Sequence, residues 1–455
     1  MKVVLLNPPT ALDKKTFIQT GDHPPLGLMN IASVIKKERH SVEIIDSSVE
    51  RHDITDSVKA IMRKKPDIIG LTSMTSNYHI VKSIASELKK VSNIPLILGG
   101  LHATTMTGSC LDSGLFDFVI SGEGELSFTK LADAIDKNKS KDIPGVNYLI
   151  KGKKKINPSK FIENITEFPI KDWSLVDIKK YRPSNASYMK KPAISTMISR
   201  GCKNGCTFCA SKSIFGLKFR AHSEEQIREE LGILKEKGIK DINFWDINFA
   251  SDREHTIKVS KIIAEFGFSW NITTRCDSVD YELLRIMAKN GCYSIGYGIE
   301  AGTQDTLDKI NKNYSIDLIK KTIRDTKKTG IRTKCYFSLG YPWQDKEDIR
   351  KTIEFAKELN PHMVTFSIIT PYPGSDLFDD VKSKLISSDF IDMTHRSAKY
   401  NVSKHFSTDE LISMMNKAYT EFYVRPKHII QSISSIRTFT DIKRMIQSID
   451  FILGG

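Results

Sequence analysis

Three of the seven cysteines in this chain lie within eight residues of one another, and this cluster limits what the chain can be more than any other feature. The segment reads Ser199-Arg200-Gly201-Cys202-Lys203-Asn204-Gly205-Cys206-Thr207-Phe208-Cys209. Its spacing, Cys-x3-Cys-x2-Cys, can gather three thiolates round one metal centre, with Gly201 and Gly205 letting the backbone turn tightly. A 4Fe–4S cluster normally takes four cysteines, so three leave one iron open, which is typical of a catalytic metal site. We therefore predict that the metal ligands are Cys202, Cys206 and Cys209.

Zinc binding and disulfide bonding account less well for the three clustered cysteines. Structural zinc needs four ligands, and the next candidate, His222, lies 13 residues after Cys209 without a partner histidine. Disulfides need an oxidising compartment, which nothing in the sequence indicates. Three further cysteines, Cys276, Cys292 and Cys335, stand singly in or beside strand-like runs, and we predict that they are buried small hydrophobes.

The composition is that of a soluble globular protein. A chain of 455 residues, 40% of them hydrophobic and 27% charged, can form two or three domains. No apolar run approaches the ~20 residues that cross a bilayer, and the amino-terminal segment becomes polar too soon for a signal peptide. Because cysteines are few and three are predicted metal ligands, we expect a reducing cytoplasm as the location.

The net charge of +14 arises from 68 Lys and Arg residues against 54 Asp and Glu residues. We interpret this charge as a lysine-rich solvated surface rather than a nucleic-acid site, which leaves a tRNA-modifying role as a minor alternative. Peripheral contact with an anionic membrane surface also stays open. The expected substrate is a small molecule or a lipid, and the sequence does not identify it.

Residues 1–140 alternate short apolar runs with amphipathic segments, which predicts a doubly wound α/β domain of flavodoxin or Rossmann type. The predicted strands are Lys2–Asn7, Ser41–Asp46, Asp67–Ser73, Pro95–Gly100 and Phe116–Ser121, and the predicted helices are Leu26–Lys37, Ile54–Lys64, Tyr78–Val91 and Glu125–Asp136. Such sheets bind ligands at the carboxyl ends of their strands. The residues expected there to contact a bulky cofactor are Pro8, Thr72, Ser73, Gly99, Gly100 and Glu123.

Residues 191–380 repeat the strand–helix pattern six times, which predicts a partial (β/α)6 barrel with its active site at the carboxyl ends of the strands. The predicted strands are Ala193–Ser199, Asp241–Trp245, Trp270–Thr274, Tyr293–Ile299, Thr333–Leu339 and Met363–Ile369, with helices at 251–266, 279–290, 304–329 and 346–359. The cysteine loop follows the first of these strands. Asp246, Arg275 and Glu300 follow the next three, so we expect them on the same face.

Two further segments complete the predicted organisation. Residues 141–190 are interpreted as an ordered linker that includes a basic turn, Lys151–Lys155. Residues 381–455 are helical in pattern, with predicted helices at Asp409–Tyr423, Ile429–Ile436 and Ile442–Ile452. We expect this region to be a helical cap on the open side of the barrel rather than a membrane-contact helix.

The cysteine spacing, with the aromatic Phe208 just before the last cysteine, resembles the radical S-adenosylmethionine superfamily. The resemblance implies that S-adenosylmethionine chelates the open iron and that one electron, from a donor such as flavodoxin or ferredoxin, cleaves it to methionine and a 5′-deoxyadenosyl radical. It also implies that Glu300, within Gly298-Ile299-Glu300-Ala301-Gly302, contacts S-adenosylmethionine. Asp246 and Arg275 are similar to residues at the methionine end of that cofactor.

Together with the cysteine loop, the first domain resembles the cobalamin-binding domain that precedes many radical S-adenosylmethionine enzymes. The segments that carry this resemblance are Pro24-Pro25-Leu26-Gly27-Leu28, Gly99-Gly100-Leu101-His102-Ala103-Thr104 and Gly122-Glu123-Gly124-Glu125. The sequence lacks the Asp-x-His-x-x-Gly motif whose histidine binds cobalt, because Asp22 and His23 are adjacent. We therefore expect cobalamin without a histidine ligand, and His102 is expected to be a surface or hydrogen-bonding loop residue.

The leading hypothesis is a cobalamin-dependent radical S-adenosylmethionine enzyme that methylates an unactivated carbon. A close alternative is radical oxidation or ring formation without methyl transfer, as in the anaerobic cyclases. A third hypothesis from another class is a non-catalytic iron–sulfur or corrin-binding protein. No catalytic residue beyond the cofactor ligands can be assigned from the sequence.

Overall fold

Two large β-sheets organise the chain in this computed structural model. The structure describes residues 1–9, 22–137, 139, 141–184, 187–385, 390, 393–394 and 399–434. One sheet has seven strands from the first 155 residues, and the other has six strands from residues 193–368. A two-stranded ribbon stands at the base of the cysteine loop.

The first sheet is parallel in its first five strands and has the order β2-β1-β3-β4-β5-β6-β7. Its strands are β1 Lys2–Asn7, β2 Ser41–Asp46, β3 Ile68–Thr72, β4 Leu96–Gly99, β5 Phe118–Ile120, β6 Val146–Ile150 and β7 Lys153–Lys155. The helices of this region are α1 Leu26–Lys37, α2 Ser47–Glu50, α3 Ile54–Arg63, α4 Tyr78–Val91, α5 Leu101–Thr105, α6 Thr107–Asp112 and α7 Gly124–Asp136. The last two strands, β6 and β7, form an antiparallel hairpin round the predicted basic turn.

Helices cover both faces of this sheet. The apolar side chains at every central position of β1 require this. Val3 and Leu5 pack with residues of α1 and α7 on one face. Val4 and Leu6 pack with residues of α3 and α4 on the other. Successive side chains of a strand point to opposite faces, so a continuous apolar run requires helices on both sides. The doubly wound α/β fold predicted from the sequence is confirmed.

The second sheet is parallel throughout and has the order β8-β11-β12-β13-β14-β15. Its strands and those of the ribbon are β8 Ala193–Thr196, β9 Ser199–Arg200, β10 Arg220–Ala221, β11 Asp241–Phe244, β12 Ser269–Thr274, β13 Cys292–Glu300, β14 Arg332–Leu339 and β15 Met363–Ile368. The helices are α8 Ser211–Phe215, α9 Glu224–Glu236, α10 Arg253–Glu265, α11 Tyr281–Lys289, α12 Gln304–Lys309, α13 Ile316–Lys328, α14 Lys346–Leu359 and α15 Asp376–Val381. Cys276, Cys292 and Cys335 are buried in this core, as predicted.

One strand end and one helix in the second half of the chain were predicted wrongly. The first strand ends at Thr196 rather than Ser199, because Ser199 and Arg200 form the ribbon strand β9, which pairs antiparallel with β10. The single helix predicted at 304–329 is two helices, α12 and α13. Between them Asn311 and Asn313 both adopt a left-handed φ of 57°, which ends one helix, and the Ser315 side chain caps the next.

The carboxyl-terminal part that the structure describes consists of two helices, α16 Thr408–Tyr423 and α17 Pro426–Ser434. The Tyr419 hydroxyl donates to the Phe366 carbonyl at 2.9 Å and accepts from the Phe366 N–H at 3.1 Å. The Tyr423 hydroxyl does the same for Val364, at 2.7 Å and 3.0 Å. These hydroxyls therefore satisfy the backbone groups of β15 at the free edge of the sheet. The helix predicted at Ile442–Ile452 lies outside the described residues.

Replacing Tyr419 with phenylalanine is expected to lower the free energy of unfolding by about 1–3 kcal/mol, because it leaves two buried backbone groups of Phe366 without a partner. Urea unfolding of the metal-free protein would measure this loss. Tyr148→Phe is the matched control, since its hydroxyl makes an exposed 3.4 Å contact with the Asp142 side chain. Equal effects of the two changes would contradict this role for Tyr419.

Asp241, at the start of β11, predicts a pH dependence of stability. Burial raises the pKa of its carboxyl to about 6, although the Met189 and Lys190 N–H groups donate to it. The folded state then keeps this proton to a higher pH than the unfolded state does, so the free energy of unfolding falls as pH rises from about 4 to about 6. Asp241→Asn should remove this contribution, which is on the order of 3 kcal/mol at most. Unfolding of metal-free wild type and variant at several pH values tests it, and a pH-independent difference would contradict it.

Candidate cofactor sites

The cysteine loop lies between β9 and β10 and is held by hydrogen bonds from two other segments. The Thr207 N–H donates to the Ile310 carbonyl at 3.1 Å, and the Leu377 N–H donates to the Thr207 carbonyl at 2.9 Å. The Asn311 amide donates to the Gly205 carbonyl at 2.8 Å. The loop is therefore positioned by the connection between α12 and α13 and by the start of α15.

The two loop glycines are not equivalent, which corrects the sequence interpretation. Gly201 has φ +80°, and a Cβ there would lie 2.1 Å from the Lys218 carbonyl oxygen. Gly205 has no such φ, and its Cβ would meet only the Asn311 amide at 3.7 Å. Only Gly201 is required by the turn, because it lies where the two ends of the loop pass each other.

The three thiols lie at different depths. Cys206 is buried, whereas Cys202 and Cys209 are partly exposed. Burial raises the pKa of the Cys206 thiol, and the positive charges of Lys312 and Arg275 oppose this effect. In the described part of the chain, no three His, Cys, Asp or Glu side chains are arranged to hold a metal ion as they stand. Ligation by these cysteines stays a prediction that rests on their donor chemistry and spacing.

Asp246 is turned towards the base of the cysteine loop. Its carboxylate accepts from the Ile198 N–H at 3.2 Å, from the Ser199 N–H at 2.5 Å and from the Ser199 hydroxyl. The side chain is fully buried, and burial raises its pKa to about 6. These contacts hold the chain between β8 and β9, so Asp246 positions the loop, and its contact with the methionine end of a cofactor stays a prediction.

Arg275 lies directly beside the cysteine loop. Its Nη1 donates to the Cys206 sulfur at 3.3 Å, while Nε and Nη2 bind the Asp277 carboxylate at 2.9 Å and 2.8 Å. Its guanidinium also stacks over the Tyr314 ring, 5.0 Å from the centroid. A guanidinium in this place can stabilise a thiolate and attract a carboxylate.

Glu300 ends β13 with an unusual backbone. Its φ is +74°, and the pairing of β13 with β14 shifts between Gly298 and Glu300. The carboxylate accepts from the Ser338 hydroxyl at 3.2 Å and lies 3.3 Å from the Lys312 ammonium. A positive φ is costly for a side chain other than glycine, and such strain is concentrated at functional sites.

Lys312 and Tyr314 join this site although no sequence pattern singled them out. The Lys312 ammonium and the Tyr314 hydroxyl both donate to the Gly298 carbonyl, at 2.9 Å and 2.7 Å. Lys312 also lies 5.8 Å from the centroid of Phe208 in the cysteine loop. The two asparagines that flank Lys312, followed by Ser315, were the signal that a turn rather than a helix occurs here.

A cavity lies between the strand ends of the first sheet and the base of the cysteine loop. Four residues predicted to bind a cofactor line it, namely Thr72, Gly99, Gly100 and Glu123. Met197, Arg200, Ile214 and Phe215 line it from the side of the cysteine loop. The remaining two predicted residues, Pro8 and Ser73, are buried but are not among the lining residues.

Several features of this cavity fit a bulky cofactor that needs backbone and hydroxyl contacts. A Cβ on Gly99 or Gly27 would meet nothing within 4 Å, so the backbone is open to the cavity there. Gly100 is required for another reason, because its φ is +96° and a Cβ would lie 2.6 Å from the Ser73 carbonyl oxygen. Ser73, which neighbours the lining residue Thr72, has a buried hydroxyl without a hydrogen-bond partner within the described ranges. These residues fit a corrin whose side-chain amides seek such groups.

His102 and His23, the two histidines considered in the first domain, lie away from this cavity. His102 lies in α5, fully buried, with Nδ1 3.3 Å from the Thr75 hydroxyl and its ring stacked on Tyr78. The expectation of a hydrogen-bonding role is met, but the residue is in the core rather than in a surface loop. His23 contacts the Ser195 hydroxyl at 2.9 Å and stacks on Trp245. Neither histidine lines the cavity.

The family comparisons agree with this pair of sites. The family model "Radical SAM superfamily" matches residues 196–356, and the model "B12 binding domain" matches residues 19–132. The chain belongs to the radical S-adenosylmethionine superfamily, in the branch that carries a cobalamin-binding domain. It is an enzyme whose cofactors are a 4Fe–4S cluster, S-adenosylmethionine and cobalamin, so the non-catalytic hypothesis is not supported.

Individual relatives point to methyltransferases and cyclases. The chain is 34% identical to an uncharacterized methyltransferase of Pyrococcus horikoshii, over 99% of this chain and 98% of that protein. It is 28% identical to the anaerobic magnesium-protoporphyrin IX monomethyl ester cyclase of Rubrivivax gelatinosus, over 89% and 74% of the two chains. The cobalamin-dependent S-adenosylmethionine radical enzyme OxsB superposes with a TM-score of 0.76 at 18% identity, covering 98% of this chain and 70% of that one. This likeness confirms the fold. None of the helices that the structure describes is long and apolar enough to span a bilayer.

Proposed function

We propose that this enzyme transfers a methyl group to an unactivated carbon of a small-molecule substrate. One observation carries the proposal, namely that residues of the cysteine-loop region, Met197 and Phe215 among them, and residues of the first sheet line the same cavity. Two cofactor sites with a common wall suit a reaction in which one cofactor activates the substrate and the other delivers a group. The 34% identity to a methyltransferase over nearly the whole of both chains supports the same reaction.

The cofactors supply the reactive chemistry, a 5′-deoxyadenosyl radical from S-adenosylmethionine and a methyl group from cobalamin, and the chain positions them. Cys202, Cys206 and Cys209 hold the cluster. Glu300 offers a carboxylate for the ammonium of S-adenosylmethionine, and Lys312 offers a cation for its carboxylate. Arg275 holds Cys206 beside them.

These sites assign a role to each part of the chain. Residues 1–140 hold cobalamin, with Thr72, Ser73, Gly99 and Gly100 at the cavity or next to it. Residues 191–380 hold the cluster and S-adenosylmethionine. The segment 141–190 connects the two units and begins with the hairpin β6–β7 of the first sheet. The helix α16 covers the edge of the second sheet. The enzyme needs a one-electron donor such as flavodoxin or ferredoxin and a reducing compartment, and a lipid remains within the proposed substrate class.

Lys312→Met is expected to weaken S-adenosylmethionine binding by about 10-fold or more, because a buried cation that pairs with a ligand carboxylate is lost. Equilibrium binding to the cluster-loaded protein would measure the change. Lys309→Met is the matched control, since that lysine lies on the same segment, is exposed and pairs with Asp305. Unchanged binding in Lys312→Met would remove Lys312 from the proposed site.

The reaction itself is tested with the anaerobically reconstituted enzyme, loaded with iron, sulfide and hydroxocobalamin. It is incubated with a strong reductant, methyl-deuterated S-adenosylmethionine and a metabolite extract from a strain that lacks the gene. Formation of 5′-deoxyadenosine together with a product that carries one labelled methyl group would support the proposal. A loaded enzyme that forms no 5′-deoxyadenosine under any of these conditions would overturn it.

The cyclase relative supports a second candidate, radical oxidation or ring formation without methyl transfer. The same experiment distinguishes the two reactions, because their products differ in mass. A product that has lost hydrogen or gained oxygen, with no labelled methyl group, would replace methylation by this alternative.

A further inference from the structure

Four buried charged side chains connect the first sheet to the base of the cysteine loop. Arg200 binds the Glu123 carboxylate through Nη1 at 2.9 Å and the Glu125 carboxylate through Nη2 at 2.6 Å. Arg220 binds the other oxygen of Glu123 at 2.7 Å. Each of the four side chains is at most 6% exposed. We call Glu123, Glu125, Arg200 and Arg220 the interdomain clamp.

The two arginines of the clamp lie at the two ends of the cysteine loop. Arg200 on β9 and Arg220 on β10 are direct partners in the antiparallel ribbon, and all three predicted cluster ligands lie between them. Arg200 is two residues before Cys202 in the sequence. Any shift of the ribbon relative to the glutamates must therefore move the cysteines.

The other end of the clamp lies at the carboxyl end of the first sheet. Glu123 directly precedes α7 and Glu125 lies in the first turn of that helix. Both of them line the cavity, as does Arg200. The Glu123 carboxylate also accepts from the Ile162 N–H at 3.0 Å, so its acceptor positions are engaged within the chain. The sequence led us to expect that Glu123 contacts the cofactor, and this contact stays a prediction. In the structure Glu123 lines the cavity and its carboxylate also binds the two arginines.

The cost of burying these charges indicates that the clamp fixes the position of the cysteine loop against the first sheet and does not only stabilise the fold. Removing charged groups from water costs several kcal/mol for each ion, and well-packed apolar residues often hold two elements together equally well. A set of two carboxylates and two guanidinium groups instead fixes one geometry, because fork-shaped guanidinium groups accept few arrangements of their partners. Loss of one partner leaves its neighbour buried and uncompensated, so the arrangement forms as a unit.

We propose that the interdomain clamp couples the two cofactor sites, so that binding of cobalamin favours assembly of the cluster and assembly of the cluster favours binding of cobalamin. This inference rests on the proposed function, since it assumes that cobalamin occupies the cavity. The cavity wall and the base of the cysteine loop share Arg200, so a ligand that orders one orders the other. Such coupling is reciprocal by thermodynamic necessity. The four clamp residues act as positioning residues.

The experiment compares the Kd for hydroxocobalamin in metal-free and in cluster-loaded protein, measured by equilibrium dialysis. Wild type is expected to bind at least about fivefold more tightly when loaded, the lower end of typical coupling between sites. Glu125→Gln should bring this ratio to about one while both cofactors still bind, because Arg200 keeps the ion pair with Glu123 but loses the negative charge of its second partner. Glu163→Gln is the matched control, since Glu163 pairs with Lys218 of the same loop on the exposed surface. It should keep the wild-type ratio.

A second measurement does not depend on the loaded enzyme. Hydrogen exchange at residues 199–221 of the metal-free protein should slow when hydroxocobalamin is added to wild type, and should change less in Glu125→Gln. Circular dichroism checks that Glu125→Gln folds. If it does not fold, Glu125→Asp replaces it in both measurements.

The outcomes separate the clamp from the proposed function. A wild-type ratio of one, or a Glu125→Gln ratio equal to that of wild type, would overturn the coupling while leaving methyl transfer untouched. Failure of wild type to bind hydroxocobalamin in either state would overturn both proposals together.

Discussion

A Cys206→Ala enzyme is expected to contain little iron after anaerobic reconstitution and to form 5′-deoxyadenosine more than about 100-fold more slowly than wild type. Even a residue that only orients a metal ligand costs about 10–100-fold when it is removed, so loss of a ligand itself should cost more. Cys206 is the buried member of the three cysteines and the one that accepts from Arg275. Iron and sulfide content, the visible absorption spectrum and the rate of cofactor cleavage together measure the effect.

The control for this experiment is Cys335→Ala, because that thiol is also buried but lies in β14, away from the loop. It should retain its iron and lose only some stability. Alanine replacements of Cys202 and Cys209 should behave as Cys206→Ala does. Unchanged iron content and turnover in all three variants would refute the assignment of the cluster ligands.

Gly201→Ala is expected to destabilise the protein by about 3 kcal/mol or more and to prevent stable loading of the cluster. A left-handed conformation costs a residue with a side chain about 1–2 kcal/mol. The added Cβ would also lie 2.1 Å from the Lys218 carbonyl oxygen, so the two ends of the loop would have to separate. Urea unfolding of the metal-free protein and iron content after reconstitution measure the two effects.

Gly205→Ala is the matched control in the same loop. Its Cβ would meet only a side-chain amide at an ordinary distance, so we expect a change within about 1 kcal/mol and normal iron content. Similar behaviour of the two variants would show that the loop does not depend on the conformation of Gly201.

Much of the fold could be predicted from the sequence because its signals are local. The strand of residues 2–7 and the helices of residues 26–37 and 78–91 were predicted with the bounds that the structure has. Strong apolar runs between Gly, Pro and Ser residues define such elements with little help from the rest of the chain. The helix predicted at 304–329 was wrong, because apolar residues continue at helical spacing across the turn at Asn311 and Asn313.

The candidate site was predicted less completely, because its contacts join distant parts of the chain. The expected contact of Asp246 with the cofactor stays a prediction, and its binding to backbone 47 and 48 residues earlier was not foreseen. Glu123 lines the cavity, as expected of a residue of the corrin site, but its binding to arginines 77 and 97 residues later was not foreseen. Lys312 was not noticed at all, because a single lysine between two asparagines carries no chemical pattern.

The sequence alone indicated the kind of cofactor that this protein uses, since three cysteines at a restrictive spacing limit the metal centre that they can hold. It also determined the two α/β units, because strands and helices are each indicated by the spacing of apolar residues within a short segment. Only the tertiary structure decided which charged groups meet, as in the interdomain clamp and in the pairing of Glu300 with Lys312. Side chains that are far apart in sequence come into contact only when the sheets are packed, and no local pattern records that packing.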